Sequence, residues 1–176
     1  MTGAESALSF GQPATPALSV PDAARHLTLA VFAPYATAGL EACLFWYGPR
    51  DAAGDGRVAA VVVPAQRSHW GAFQVDGAAM TAVARATAPY GWRNLAQLHS
   101  HPGTMVMHSP EDDARAVSRR ALSLVLPRHG RGPGWPTGVG VHAFDAGSWR
   151  LLTDQQAAAR LQLLVDEGYV ALVDLR

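Results

Sequence analysis

Residues 95–113 read Leu-Ala-Gln-Leu-His-Ser-His-Pro-Gly-Thr-Met-Val-Met-His-Ser-Pro-Glu-Asp-Asp, and the rest of the chain is organised around them. Residues 95–101 have the character of a strand. Side chains two apart on a strand share a face, so His99 and His101 project together while Ser100 points away. Pro102 cannot donate to a ladder and Gly103 permits a turn, so the strand ends there. Ser109-Pro110-Glu111-Asp112 then opens a helix, with Ser109 as N-cap and Pro110 in the first-turn slot. Two imidazoles on one strand face and the Asp112 carboxylate at a nearby helix start form a three-ligand set suited to zinc, with a fourth position left for water. Taken singly, the pieces have plainer explanations. Ser-Pro-Glu-Asp is a capped helix, and His-x-His is an edge or core pair. Capping, however, does not call for two histidines just upstream.

The spacing His99-x-His101-Pro102, six residues, Ser109, two residues, Asp112 resembles the JAMM (MPN-plus) metalloprotease signature. The resemblance covers roughly residues 18–153. It implies the MPN fold, an α/β architecture with a mixed sheet flanked by helices. It also implies one Zn2+ held by His99, His101 and Asp112, and a further glutamate on an earlier strand. Residues 40–47, Leu-Glu-Ala-Cys-Leu-Phe-Trp-Tyr, make an apolar run expected to be a buried strand, and Glu41 is its only charged residue. A carboxylate buried there needs a cation, hydrogen bonds or a raised pKa. By itself the run also allows Glu41 at a solvated strand mouth. With the signature, Glu41 becomes the expected catalytic base, and Ser109 matches the family serine that helps stabilise the tetrahedral oxyanion. Family spacing selects Asp112 over Asp113 as ligand. His108 is expected to line the cleft mouth or face solvent.

Proteins resembling this one hydrolyse peptide or isopeptide bonds after the C-terminal glycines of ubiquitin or ubiquitin-like proteins. Segment 48–57 is short, and segment 127–137 contains His129 but no cysteine, so no accessory zinc is expected. That points to a compact prokaryotic enzyme, of the kind that accompanies E1- and E2-like conjugation enzymes in bacterial antiphage systems. Two alternatives stand beside it: removal of an amino-acid adduct from a sulfur-carrier protein, and a non-catalytic MPN scaffold.

The composition narrows the partners. The chain has 176 residues, 14 basic and 14 acidic, for a formal net charge of zero, which argues against nucleic acid or acidic membranes as the main partner. Every basic residue is arginine. A GC-rich genome accounts for this; so would service among lysine-modifying enzymes, or arginine's firmer charge. The single cysteine, Cys43, excludes a disulfide framework and lies in the apolar run as a core residue. No run approaches the ~20 apolar residues of a membrane span, and no secretion signal precedes the domain, so a cytoplasmic protein is expected.

Residues 1–17 have no apolar period and are expected to form a flexible tail before one domain, 18–176. Within it the pattern predicts helices over 22–35, 77–88, 110–120 and 154–167, the last capped by Asp154. Strands are predicted over 18–20, 58–65, 122–126, 139–144, 149–152 and 169–175, with an irregular strand or loop at 68–76. Interspersed strands and helices of this kind fit an α/β fold with a mixed or antiparallel sheet.

Overall fold

The computed structural model of the chain describes residues 17–116, 118–131, 138–165 and 168–176. The expected tail up to residue 16, residues 132–137 of the glycine-proline loop and the last two residues of the expected final helix lie outside them. Chain order is β1 (Leu18–Pro21), α1 (Asp22–Ala38), β2 (Cys43–Gly48), β3 (Gly56–Arg57), β4 (Ala60–Val63), β5 (Arg67–His69), β6 (Ala72–Gln74) and α2 (Gly77–Thr87). There follow β7 (Arg93–Ser100), α3 (Pro110–Arg115), β8 (Leu122–Leu126), β9 (Gly140–Asp145), β10 (Ser148–Leu151), α4 (Asp154–Arg160), β11 (Leu161–Leu164) and β12 (Ala171–Asp174).

Seven strands form one mixed sheet, β10-β9-β8-β7-β2-β4-β12, in which β7–β8 and β4–β12 run parallel and the other neighbours antiparallel. A parallel trio, β11-β1-β3, and the β5-β6 hairpin complete the described strands. The expected α/β class with a mixed sheet therefore holds. Strand β2 is buried throughout, because both faces of the sheet are covered there. On one face Leu44, Trp46, Val61, Leu98 and Leu124 pack with Val31 and Phe32 of α1. Trp46 Nε1 donates to Thr28 Oγ1 at 2.9 Å, and Thr28 donates in turn to the Ala24 carbonyl at 2.8 Å, so the indole is buried without losing its bond. On the other face Cys43, Phe45, Tyr47 and Val62 pack with Phe73 of β6 and Val83 of α2. Helix α1 ends where Gly39 turns left-handed at φ 67°.

Four expectations need correction. Strand β2 begins at Cys43, so Glu41 stands just before the strand rather than inside it. The helix expected over 110–120 stops at Arg115, because buried Ala116 leaves helical geometry at φ −75°, ψ 73° as the chain turns back toward β8. The helix expected over 154–167 stops at Arg160, and β11 follows, paired with β1 and burying Leu161. Tertiary pairing outweighs local helix propensity there. The cap of α4 is Thr153, not Asp154. Thr153 Oγ1 accepts from the Gln156 amide at 3.3 Å, and Gln156 Oε1 accepts from the Thr153 amide at 3.0 Å.

Candidate metal centre

Strand register brings distant residues together at the C-terminal end of β7. Cys43 pairs with His99 and Leu44 with Leu98. Beyond the strand, the Ser100 amide donates to the Ala42 carbonyl at 3.1 Å and the Ala42 amide to Ser100 Oγ at 3.2 Å. Carried on by one residue, this places Glu41 beside His101. The Glu41 amide also donates to the His69 carbonyl at 2.8 Å, tying it to the β5-β6 hairpin.

The loop after β7 is held from two sides. The His101 amide donates to Leu126 at 2.9 Å, while the His101 and Gly103 carbonyls accept from His129 and Arg128, each at 2.7 Å. Arg128 and His129 adopt φ values of 53° and 55°, a conformation that costs non-glycine residues energy and often gathers at functional sites. Gly140 of β9 lets the same loop approach, since a Cβ there would lie 2.3 Å from the Val106 carbonyl oxygen.

The predicted trio converges. His99 Nε2 and His101 Nε2 stand 3.2 Å apart; Asp112 Oδ1 is 3.4 Å from the first and Oδ2 3.3 Å from the second. These three side chains could hold a metal ion. His101 Nδ1 faces the Met105 carbonyl at 3.1 Å. A proton on that nitrogen leaves the Nε2 lone pair directed at the trio's centre, the arrangement usual for a ligating histidine. His99 Nδ1 is buried without a partner.

Asp112 is oriented by its helix cap. Its Oδ2 accepts from the Ser109 amide and the Ser109 hydroxyl, both at 2.7 Å, and its own amide donates to Ser109 Oγ at 3.2 Å. Ser109 is thus the expected N-cap of α3, in a full capping box. In this arrangement its hydroxyl proton goes to Asp112.

Charge follows position. Burial pushes the His99 pKa down against the pull of Asp112, so this imidazole is neutral at pH 7. Burial also opposes a proton on His101, but bonding to Asp112, the charge of Glu41 and the Met105 carbonyl outweigh it and raise the pKa. Burial alone would raise Asp112; the bonds from His101 and His99 overcome it and hold this carboxyl well below the usual range. Glu41 is 5% exposed, and burial pushes it up to about 7. Glu41, His101, Ser109, Asp112 and Arg115 line one cleft of about 300 Å³ with Trp70 at its edge. Cys43 is buried, and burial raises its thiol, as a core residue requires. It forms the wall of a larger, mainly apolar cavity of about 560 Å³, which shares Arg115 with the cleft.

His108 lines neither the cleft mouth nor the solvent face. Its Nδ1 lies 2.8 Å from Asp113 Oδ1, its Nε2 lies 2.8 Å from Ser123 Oγ, and its ring stacks on His142 at 3.9 Å. Asp113 is therefore occupied outside the trio. His142, unnoticed in the sequence, is 2% exposed and has no hydrogen-bond partner on either ring nitrogen. Burial, then the charge of His108, pushes its pKa down to about 4. The signal for it was present: a polar residue amid Val141, Ala143 and Phe144, as with Glu41.

No protein-family model and no curated protein matches the chain. Solved structures do. The solution structure of protein DSY2949 from Desulfitobacterium hafniense aligns with a TM-score of 0.63 at 19% identity, covering 86% of this chain and 94% of that one. A protein from Salinibacter ruber aligns with a TM-score of 0.52, also at 19% identity, over 77% of this chain and 88% of the other. At such identity the likeness concerns the fold alone: the chain shares a mixed α/β architecture with these two bacterial proteins, and carries at its centre a His-His-Asp trio able to hold a metal.

Proposed function

We propose that the chain is a zinc-dependent peptidase or isopeptidase of the JAMM type in an MPN fold, cleaving after the C-terminal glycine tail of a ubiquitin-like protein. One observation carries the proposal: Glu41, remote in sequence, opens onto the same cleft as His101, Ser109 and Asp112. Zinc suits the trio. Two imidazole nitrogens and one carboxylate are a donor set that zinc takes, and the ligand atoms these three residues offer all lie within 4.8 Å of one another.

Zinc bound here would supply Lewis acidity and a water of lowered pKa. The Glu41 carboxylate, whose pKa burial raises to about 7, would take a proton from the attacking water and return it to the leaving amine. Ser109 orients Asp112 and, once its hydroxyl proton swings from Oδ2 to the substrate carbonyl oxygen, serves as oxyanion donor. Gly71, Ala72 and Gly103 also line the cleft, which favours a narrow, extended backbone over bulky side chains and so supports a glycine-rich tail. The physiological setting we infer is a cytoplasmic bacterial conjugation system with E1- and E2-like partners, serving antiphage defence. Among the described residues no helix is long and apolar enough to cross a membrane.

The test is incubation of zinc-loaded protein with the ubiquitin-like protein encoded beside it, extended beyond its glycine tail, and mass spectrometry of the products. A new C-terminus at the glycines, absent with Glu41→Gln that still holds metal, is expected. Unchanged conversion by Glu41→Gln would overturn the assignment of the base, and an intact substrate would overturn the activity.

A further inference from the structure

The neutral net charge conceals one strongly basic region. At the N-terminal end of β7, a cavity of about 810 Å³ is lined by Arg50, Arg93, Arg119, Arg120 and Arg160, with Asp51 the one acidic residue among the described residues of its lining. Four segments supply them: the loop after β2, the start of β7, the link into β8 and the end of α4. Such convergence from separate segments is a property of the fold rather than of a charged run.

Among the described residues the positive charge is answered only in part, with Asp55 favouring charge on Arg50. Arg50 donates to two carbonyls, Gly54 at 2.6 Å and Arg120 at 3.1 Å, which fixes its guanidinium without neutralising it. Arg119 lies over the Phe144 ring at 4.7 Å. Arg160 Nε is buried with no hydrogen-bond partner. Of the nearby carboxylates, Asp51 accepts from the Asp55 amide at 2.9 Å and Asp55 from the Ala17 amide at 2.7 Å, so both also brace the loop. Burial and, for Arg160, the nearness of Arg50 work against charge on this pair. An anion in the cavity would relieve that repulsion.

We propose that this cavity binds an oligophosphate group, as carried by a nucleoside di- or triphosphate or by pyrophosphate. Planar guanidinium forks match phosphate oxygens two at a time, and the volume suits a ligand of nucleotide size. Six strand steps separate Arg93 from His99, about 20 Å. An occupant therefore does not touch the metal centre, and the proposal stands apart from the hydrolase assignment.

Isothermal titration calorimetry of the full chain with ATP, ADP, pyrophosphate, orthophosphate and a single-stranded oligonucleotide tests it. The di- and triphosphates are expected to bind one per chain, at least about tenfold tighter than orthophosphate, and to weaken as salt rises. Equal affinity for ADP and pyrophosphate identifies the inorganic source, and tighter ADP the nucleotide; either supports the site. Arg120→Ala and the double variant Arg93→Ala/Arg120→Ala, all exposed positions, should each lose at least about tenfold. Exposed Arg85→Ala on α2, outside the cavity, should lose nothing. Unaltered circular dichroism and metal content show that the variants fold. No binding at about 1 mM, or binding that survives the double variant, overturns the proposal. So does an oligonucleotide that binds more tightly through the same arginines, which would make the cavity a nucleic-acid site.

Discussion

At the cleft, His101 meets the carboxylate of Asp112 across 3.3 Å; nearby on the sheet, His142 stacks on His108 and meets no hydrogen-bond partner. Both rings lie in largely buried surroundings, yet their proton affinities are shifted in opposite directions. The His101 pKa is raised by its neighbours and that of His142 lowered by burial. Burial alone makes histidine a neutral packing residue. Burial beside an anchored carboxylate makes it a ligand-grade donor whose cation partner, proton or metal, decides its state. The capping box makes the difference, since it aims Asp112 at the histidines.

The largest expected effect breaks the cleft side of this contrast. Asp112→Asn should leave the two imidazoles in place but cost at least about 100-fold in affinity for the proposed zinc, measured by metal analysis after dialysis, with the proposed hydrolysis lost alongside. Chelating zinc from the wild-type protein comes next. At free metal about 100 times Kd, binding contributes about 2.7 kcal/mol, so its removal should lower Tm by about 5–10 °C in scanning calorimetry. Asp112→Asn should show no such shift.

His142→Leu sharpens the other side. Below its ordinary value of 6.5 the unfolded chain takes up a proton that the folded chain refuses until pH falls to about 4. The contribution of His142 to stability should therefore fall by about 2–3 kcal/mol between pH 6.5 and 4, read as the difference between wild type and the leucine variant. The leucine variant should lose that acid sensitivity in urea titrations at the two pH values. An equal slope in both proteins would mean that His142 is not held neutral.

Glu41 gives the smallest effect, with the opposite sign. Its folded pKa of about 7 lies above the ordinary 4.5, so the metal-free fold retains a proton that the unfolded chain releases. The contribution of Glu41 is fully present below pH 4.5 and is lost as pH rises through 7. Metal-free Glu41→Gln should then exceed wild type by about 1–2 kcal/mol at pH 8, the cleft being open to water on one side, and match it at pH 4.

Much of the site was legible because its determinants are local. Alternation puts His99 and His101 on one face, and Ser109 three residues before Asp112 writes a capping box that the structure contains. The strands expected over 139–144 and 149–152 were equally plain, and Ala146 and Gly147 take φ values of 48° and 91° in the turn between β9 and β10. Residues that depend on pairing across the sheet were harder. The partners of His108 and the burial of His142 need β8, β9 and the motif loop together, and β11 exists only because β1 is there to pair with it. The arginine cavity is the extreme case, since charges spread from residue 50 to residue 160 cancel in any count.

The amino-acid sequence by itself determined the α/β alternation, the Ser109 cap and the candidate ligand set, because periodicity and capping act over a few residues. Only the tertiary structure decided that Glu41 borders that set, that His142 is kept neutral, and that five arginines share a cavity. Strand register and burial join groups far apart along the chain, and desolvation depends on everything packed around them.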